Sequence, residues 1–172
     1  TGAGSVPPEG GTTNTGAITL TQDSSIAWTW KNEHRLTTQV TGNGSVDVAD
    51  GWHAQGEDVV ITATPGDHHH LTQWAGDTDG CNIDGTKITV PMTKPRTLTA
   101  GFSIDQYTVD GTVTWGGNGL ENVRLTEGLR TDNEGRYTTT VNHGANLSLT
   151  PSLTGYTFTP ASKDFTDVTA DV

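Results

Sequence analysis

The chain has 172 residues, of which 31% are hydrophobic; it carries 22 glycines and 33 threonines, and its formal net charge is −11. That length allows one to three small domains, and the acidity argues against nucleic acid and anionic membranes as partners, since both present negative charge. No apolar run approaches the roughly 18 residues a spanning helix needs, so membrane insertion is not expected.

Thr1 to Gly16 is Gly/Pro/Thr-rich and reads as loop. Ile18-Thr-Leu20 and Ile26-Ala-Trp28-Thr-Trp30 are two candidate strands. Alternation is clear from Leu36-Thr-Thr38-Gln-Val40, followed by an Asn43-Gly44 hairpin signal and Ser45-Val46-Asp-Val48. Val59-Val-Ile61-Thr-Ala63, Leu71 to Trp74, Lys87-Ile88-Thr-Val90 and Thr97 to Phe102 continue the pattern. After the polar boundary Ser103 to Gln106, a second pattern runs through Tyr107 to Trp115, a Gly116 to Gly119 turn and Val123-Arg-Leu125. It ends with the Thr131 to Tyr137 turn, Tyr137 to Val141, Leu147-Ser-Leu149 and Tyr156-Thr-Phe158. No window shows helical periodicity, so the chain is expected to be all-β, built of tandem small modules without significant helix. The expected core is Val40, Val59, Ile61, Trp74, Ile88, Leu98 and Phe102, then Val109, Val113, Val123, Leu125, Tyr137, Val141, Leu149, Tyr156 and Phe158.

The motifs Gly42-Asn-Gly-Ser-Val46, Val59 to Pro65 ("VVITATP"), Trp74 with Gly76-Asp77, and Leu98-Thr-Ala100-Gly-Phe102 resemble the divergent internalin-type B-repeat family of bacterial surface proteins. In that register His69 takes an aromatic slot and Leu71 a Phe slot. His68 stands where Gly is usual, and His is among the residues that tolerate positive φ. The motifs "GTVTWGGNGLENVRL", "TDNEGRY" and "GYTFTPAS" resemble the carboxypeptidase regulatory-like family, a prealbumin-type, Ig-like sandwich. The resemblances imply structural modules without catalysis, on the bacterial cell surface or otherwise extracellular. They divide the chain into a partial β-repeat (1–35), a complete repeat (36–104) and a sandwich (105–172). The partial copy is expected because the two N-terminal strands mirror Ile88-Thr-Val90 and Leu98 to Phe102.

His68-His69-His70 invites a metal reading, but successive strand residues alternate faces, so at most His68 and His70 could converge. Asp77, Asp79, Asn82 and Asp84 offer oxygen ligands at spacings that suggest a calcium loop, though an EF-hand's bidentate Glu is missing. Turn-forming Asp and Asn residues in a polar hairpin have the same appearance. Calcium is the one cofactor considered, and no other cofactor-binding or catalytic residue is expected. Cys81 is alone and forms no internal disulfide. Among five tryptophans, Trp115 precedes a Gly-Gly turn and is a candidate glycan contact, with Trp52 a second. Trp28 and Trp30, two apart on a strand, read as packed residues. Asn43-Gly-Ser45 and Asn146-Leu-Ser148 match the N-glycosylation pattern. Lys163, the only Lys of the second module, stands too late for a first-strand isopeptide crosslink.

The expected function is a non-enzymatic segment of a surface stalk or adhesin, or a subunit of an extracellular filament. Its partners would be neighbouring repeats or identical subunits. In the filament version the assembly residues are Ile18, Leu20, Ile26, Trp28 and Trp30, completed by another copy through strand addition. If those strands pair only with their own downstream repeat, that version loses its support. The alternative function is a carbohydrate- or calcium-binding surface module.

Overall fold

A computed structural model describes residues 2–3 and 19–172. The N-terminal part contributes a two-residue antiparallel pair, β1 (Gly2–Ala3) with β2 (Ser25–Ile26). Eight strands follow: β3 (Glu33–Thr41), β4 (Gly44–Val46), β5 (Gly51–Ala54), β6 (Asp58–Pro65), β7 (His69–Gly76), β8 (Asn82–Asp84), β9 (Lys87–Pro91) and β10 (Arg96–Ile104). They form two four-stranded sheets, ordered β5-β3-β10-β7 and β4-β6-β9-β8.

The sheets enclose Leu36, Val59, Ile61, Ile88, Val90, Met92 and Leu98, with a smaller cluster of Ala63, Ala100 and Phe102 beside them. Period-2 placement explains the arrangement: β6 buries Val59, Ile61 and Ala63 while Val60 between them is 51% exposed. Each buried Leu, Ile, Val or Met contributes about 1.5–3 kcal/mol. The centre of the first sheet is a parallel pair, β10 on β3, in register from Arg96↔Leu36 to Gly101↔Thr41.

The resemblance-bearing ends of this module touch each other. Gly42 has φ +80°, and a Cβ there would collide with the Phe102 carbonyl; a Cβ at Gly44 would enter the Phe102 ring. The turn between β3 and β4 is therefore no hairpin. The chain crosses from one sheet to the other there, and β4 pairs with β6. His68 has φ +56°, in keeping with its place in a glycine slot.

The second module comprises β11 (Gln106–Thr112), β12 (Thr114–Trp115), β13 (Asn118–Gly119), a 3-10 turn (Thr126–Gly128), β14 (Arg136–Asn142), β15 (Ala145–Leu149) and β16 (Lys163–Val168). β11 pairs with β14, β12 with β13, and β15 with β16, all antiparallel. Val109, Val123, Leu125, Leu149 and Val168 are buried. The "TDNEGRY" turn is held by Asp132, whose carboxylate accepts the N–H groups of Glu134 and Arg136, both at 2.8 Å. Gly111, opposite Tyr137 on β14, leaves room for the phenol, which a Cβ would strike.

Several expectations are corrected. Val40 is 39% exposed, because β5 covers β3 only from Glu33 to Leu36 and leaves Val40 on the open flank. Leu36 is the buried residue of that strand instead. Tyr156 is 39% exposed, and Tyr156 to Phe158 is loop, since β15's partner is the unanticipated β16. Val123 to Leu125 forms only single bridges, from Arg124 to Arg130 and Ser152. Ile26 to Trp30 is not one strand: β2 ends at Ile26.

Outside the core, Asp50 closes the exposed flank of β3. Its carboxylate accepts the Thr38 N–H at 2.8 Å and lies 3.4 Å from the Arg35 guanidinium. The Thr38 N–H above all, with help from Arg35 and against some desolvation, holds the Asp50 carboxyl below its ordinary 3.8. A lowered folded value means stability that is complete above the unfolded value and lost as pH falls through the folded one. Asp50→Asn should keep the Thr38 contact yet lose stability less steeply than the parent below about pH 4 in urea titrations.

Candidate functional site

The joint between the modules is one residue long. β10 ends at Ile104, β11 begins at Gln106, and Asp105 between them is tied to both sides. Its N–H donates to the His68 carbonyl and its carbonyl accepts from the His143 N–H, each at 2.8 Å. Its carboxylate accepts from His70 Nδ1 at 2.8 Å. Across the joint the rings of His68 and His143 stack at 3.6 Å with planes 9° apart, and Tyr107 lies 5.8 Å from His143. His143 Nδ1 is buried without a hydrogen-bond partner.

The histidine run is thereby divided among separate tasks. His68 stacks across the joint, His70 holds Asp105, and half-buried His69 donates from Nδ1 to the Asp67 carbonyl at 2.8 Å. His69 and Leu71 are half-buried at alternate positions of β7, and a register shift against β10 lets Trp74, three residues on, pack on both core clusters. Among the described residues, no group of three or more His, Cys, Asp or Glu side chains converges as a metal site.

In the loop with the calcium-like spacing, an internal cation is already present. Arg96 is 4% exposed, and its Nη1 donates to the carbonyls of Asp77 and Asp79, both at 2.7 Å, while Nε donates to the Pro91 carbonyl at 3.1 Å. The Asp77 carboxylate accepts the Thr97 N–H at 2.8 Å, and Asn82 and Asp84 sit on β8, exposed. Sequence reasoning missed Arg96. The signal was a lone Arg at the start of a strand whose loop partner is rich in carbonyl-presenting turns, which is too general to point to burial. Cys81 lies 3.7 Å from the same guanidinium. Burial pushes its thiol up more than Arg96 draws it down, so it stays protonated at neutral pH.

The aromatic candidates separate. Trp115 is 66% exposed on the rim of a cleft in the second module; Trp52 is 64% exposed on edge strand β5 of the first. Of the assembly candidates, Ile18 lies outside the described residues. Leu20, Ile26, Trp28 and Trp30 are 63%, 43%, 57% and 87% exposed, so Trp28 and Trp30 are not packed as expected. Among the described residues β2 pairs with β1 and joins neither four-stranded sheet.

Residues 34–106 match the divergent InlB B-repeat domain. The match begins at the second residue of β3 and ends just past Asp105, so the matched stretch covers the two-sheet unit together with the joint residue. A solved structure titled "The Bacillus anthracis TIE protein" is similar at a TM-score of 0.37 and 12% identity, covering 90% of this chain and 36% of that one. The chain thus spans little more than a third of that protein's length. No curated protein matches.

Replacing Arg96 with Met keeps much of the volume and strands three carbonyls. Arg96→Met should lower unfolding stability by about 2–4 kcal/mol in denaturant titrations. A loss below about 1 kcal/mol would mean that water replaces the guanidinium freely.

Proposed function

We propose that this chain is a non-catalytic, extracellular segment of a bacterial surface protein, a stiff spacer in which a B-repeat and a second β-sandwich are held in line. The observation that carries this reading is the Asp105 joint. A one-residue linker with both backbone groups bonded to opposite modules has little freedom to bend, whereas polar linkers of several residues flex. The repeat match supports the surface assignment. In this reading residues 105–172 are the carboxypeptidase regulatory-like sandwich that their motifs suggest, and the acidity keeps neighbouring segments soluble and apart.

The exposed apolar run Leu20, Ile26, Trp28 and Trp30 favours one refinement. These residues form a contact for a neighbouring repeat or an identical subunit, whose strand or face covers them. Unclosed head-to-tail contacts of this kind extend into filaments.

Small-angle scattering tests the spacer. The parent chain should give one narrow distance distribution, and the double variant Asp105→Gly/His143→Ala a broader one with the melting of each module unchanged. A parent distribution as broad as the variant's would overturn the stiff joint. Sedimentation tests the contact: Trp28→Ser/Trp30→Ser should abolish concentration-dependent self-association while leaving the melting temperature unchanged. A parent that stays monomeric at millimolar concentration, alone and mixed with a tandem copy of residues 34–106, would refute it.

A further inference from the structure

The second module carries a cleft of about 350 Å³ at the end away from the joint. β11 sets the separation: Gln106 adjoins Asp105, Thr112 lines the cleft, and seven extended residues span about 20 Å. The cleft opens between the β11–β12 corner and the loop that leads into β16.

Three features of its wall restrict what fits. Trp115 and Tyr156 form an aromatic corner, edge to face at 6.2 Å and 89°, with Trp115 mostly in solvent and Tyr156 partly so. An isolated exposed tryptophan is ordinary, but a second aromatic set at right angles beside a cavity gives a flat ligand one ring to stack on and a second wall against its edge. Next to that corner the wall is rich in hydroxyls, from Thr112, Thr114, Thr157, Thr159 and Ser162. Finally, in a chain with 20 acidic residues, none of the described ones lies in this wall, and the charged group among its described residues is Lys163.

We infer that the cleft is a saccharide-binding site for a neutral glycan, with Trp115 and Tyr156 as its stacking platform. A pyranose has a C–H face that rests on an aromatic ring and an equatorial belt of hydroxyls that pairs with threonine and serine. A cationic ligand would find no carboxylate. An anionic one would meet a single ammonium within the field of a −11 chain. A purely apolar ligand would strip water from five hydroxyl side chains without replacing their hydrogen bonds. The proposal is independent of the spacer reading, since a module can extend a stalk with or without holding a sugar at its end.

The test uses the full chain with neutral oligosaccharides as probes: maltohexaose, cellohexaose, xylohexaose and chitohexaose. Two-dimensional NMR and tryptophan fluorescence follow each titration. At least one probe should shift the amides of Trp115 and Thr157 to Ser162, with a Kd of roughly 0.1–5 mM, the range of a single small contact. Trp115→Ala should weaken that binding about tenfold or more without moving the melting temperature, and Trp115→Phe should restore part of it. Trp52→Ala, on the other module, should leave it unchanged. Tyr156→Ala gives a second route to the same readout. No shift with any probe at 10 mM would overturn the proposal, as would shifts that Trp115→Ala and Tyr156→Ala leave intact. Shifts of the same amides on raising protein concentration without sugar would also overturn it, assigning the cleft to a second copy of the chain.

Discussion

The parallel pairing of β10 with β3 joins segments 60 positions apart, with Arg96 against Leu36, and places Leu36 and Leu98 in the core from adjacent central strands. Parallel neighbours cannot be joined by a tight turn, so everything between them must form a crossover. Here the crossover is a second sheet, β4-β6-β9-β8, together with the edge strands β5 and β7. The same strand that closes the module also leaves it, because β10 runs to Ile104 and hands the chain through Asp105 to β11. Core closure and inter-module direction are therefore set by one strand.

Two polar contacts make that strand's ends definite. At its start, Arg96 gathers the carbonyls of a loop that no regular strand could satisfy. A buried guanidinium is costly unless its donors are met, and carbonyl oxygens meet them without the desolvation of a second charge. At its end, Asp105 meets His68 and His143 from opposite modules. His68 reaches His143 because positive φ turns its backbone outward at the start of β7. Arg96 fixes how the repeat folds, and Asp105 fixes where the next module points.

Much of this was readable in advance. Alternation located β6, β9, β10, β11, β14 and β15, since a two-residue period on a half-buried sheet is a local property of the chain. The Gly42 and Gly44 motif and the Phe102 motif were visible separately; that one makes room for the other required the fold. The strands β8 and β16 were missed because their residues are mostly exposed and polar, and β5 because its four residues carry no β-branched or alternating apolar pattern; their pairing comes from neighbours, not from their own pattern. Spacing alone showed four calcium-like oxygens, but not that a distant arginine would occupy the loop's carbonyls. The aromatic cleft was legible only as Trp115. Tyr156, read as core, proved to be its other wall, because the loop carrying it is held away from the sheet before β16 begins.

The sequence by itself determined an all-β chain of tandem modules, the repeat resemblance around residues 34–103, and an acidic surface without an apolar run long enough for a membrane helix. These depend on composition and local periodicity, which do not change with how strands pair. Tertiary structure alone decided that β3 pairs in parallel with β10, that Arg96 is buried, that the three consecutive histidines divide among separate tasks, and that the joint is a single clamped residue. Each of these depends on groups far apart in the chain meeting within hydrogen-bond or stacking distance, and no local pattern encodes such a meeting.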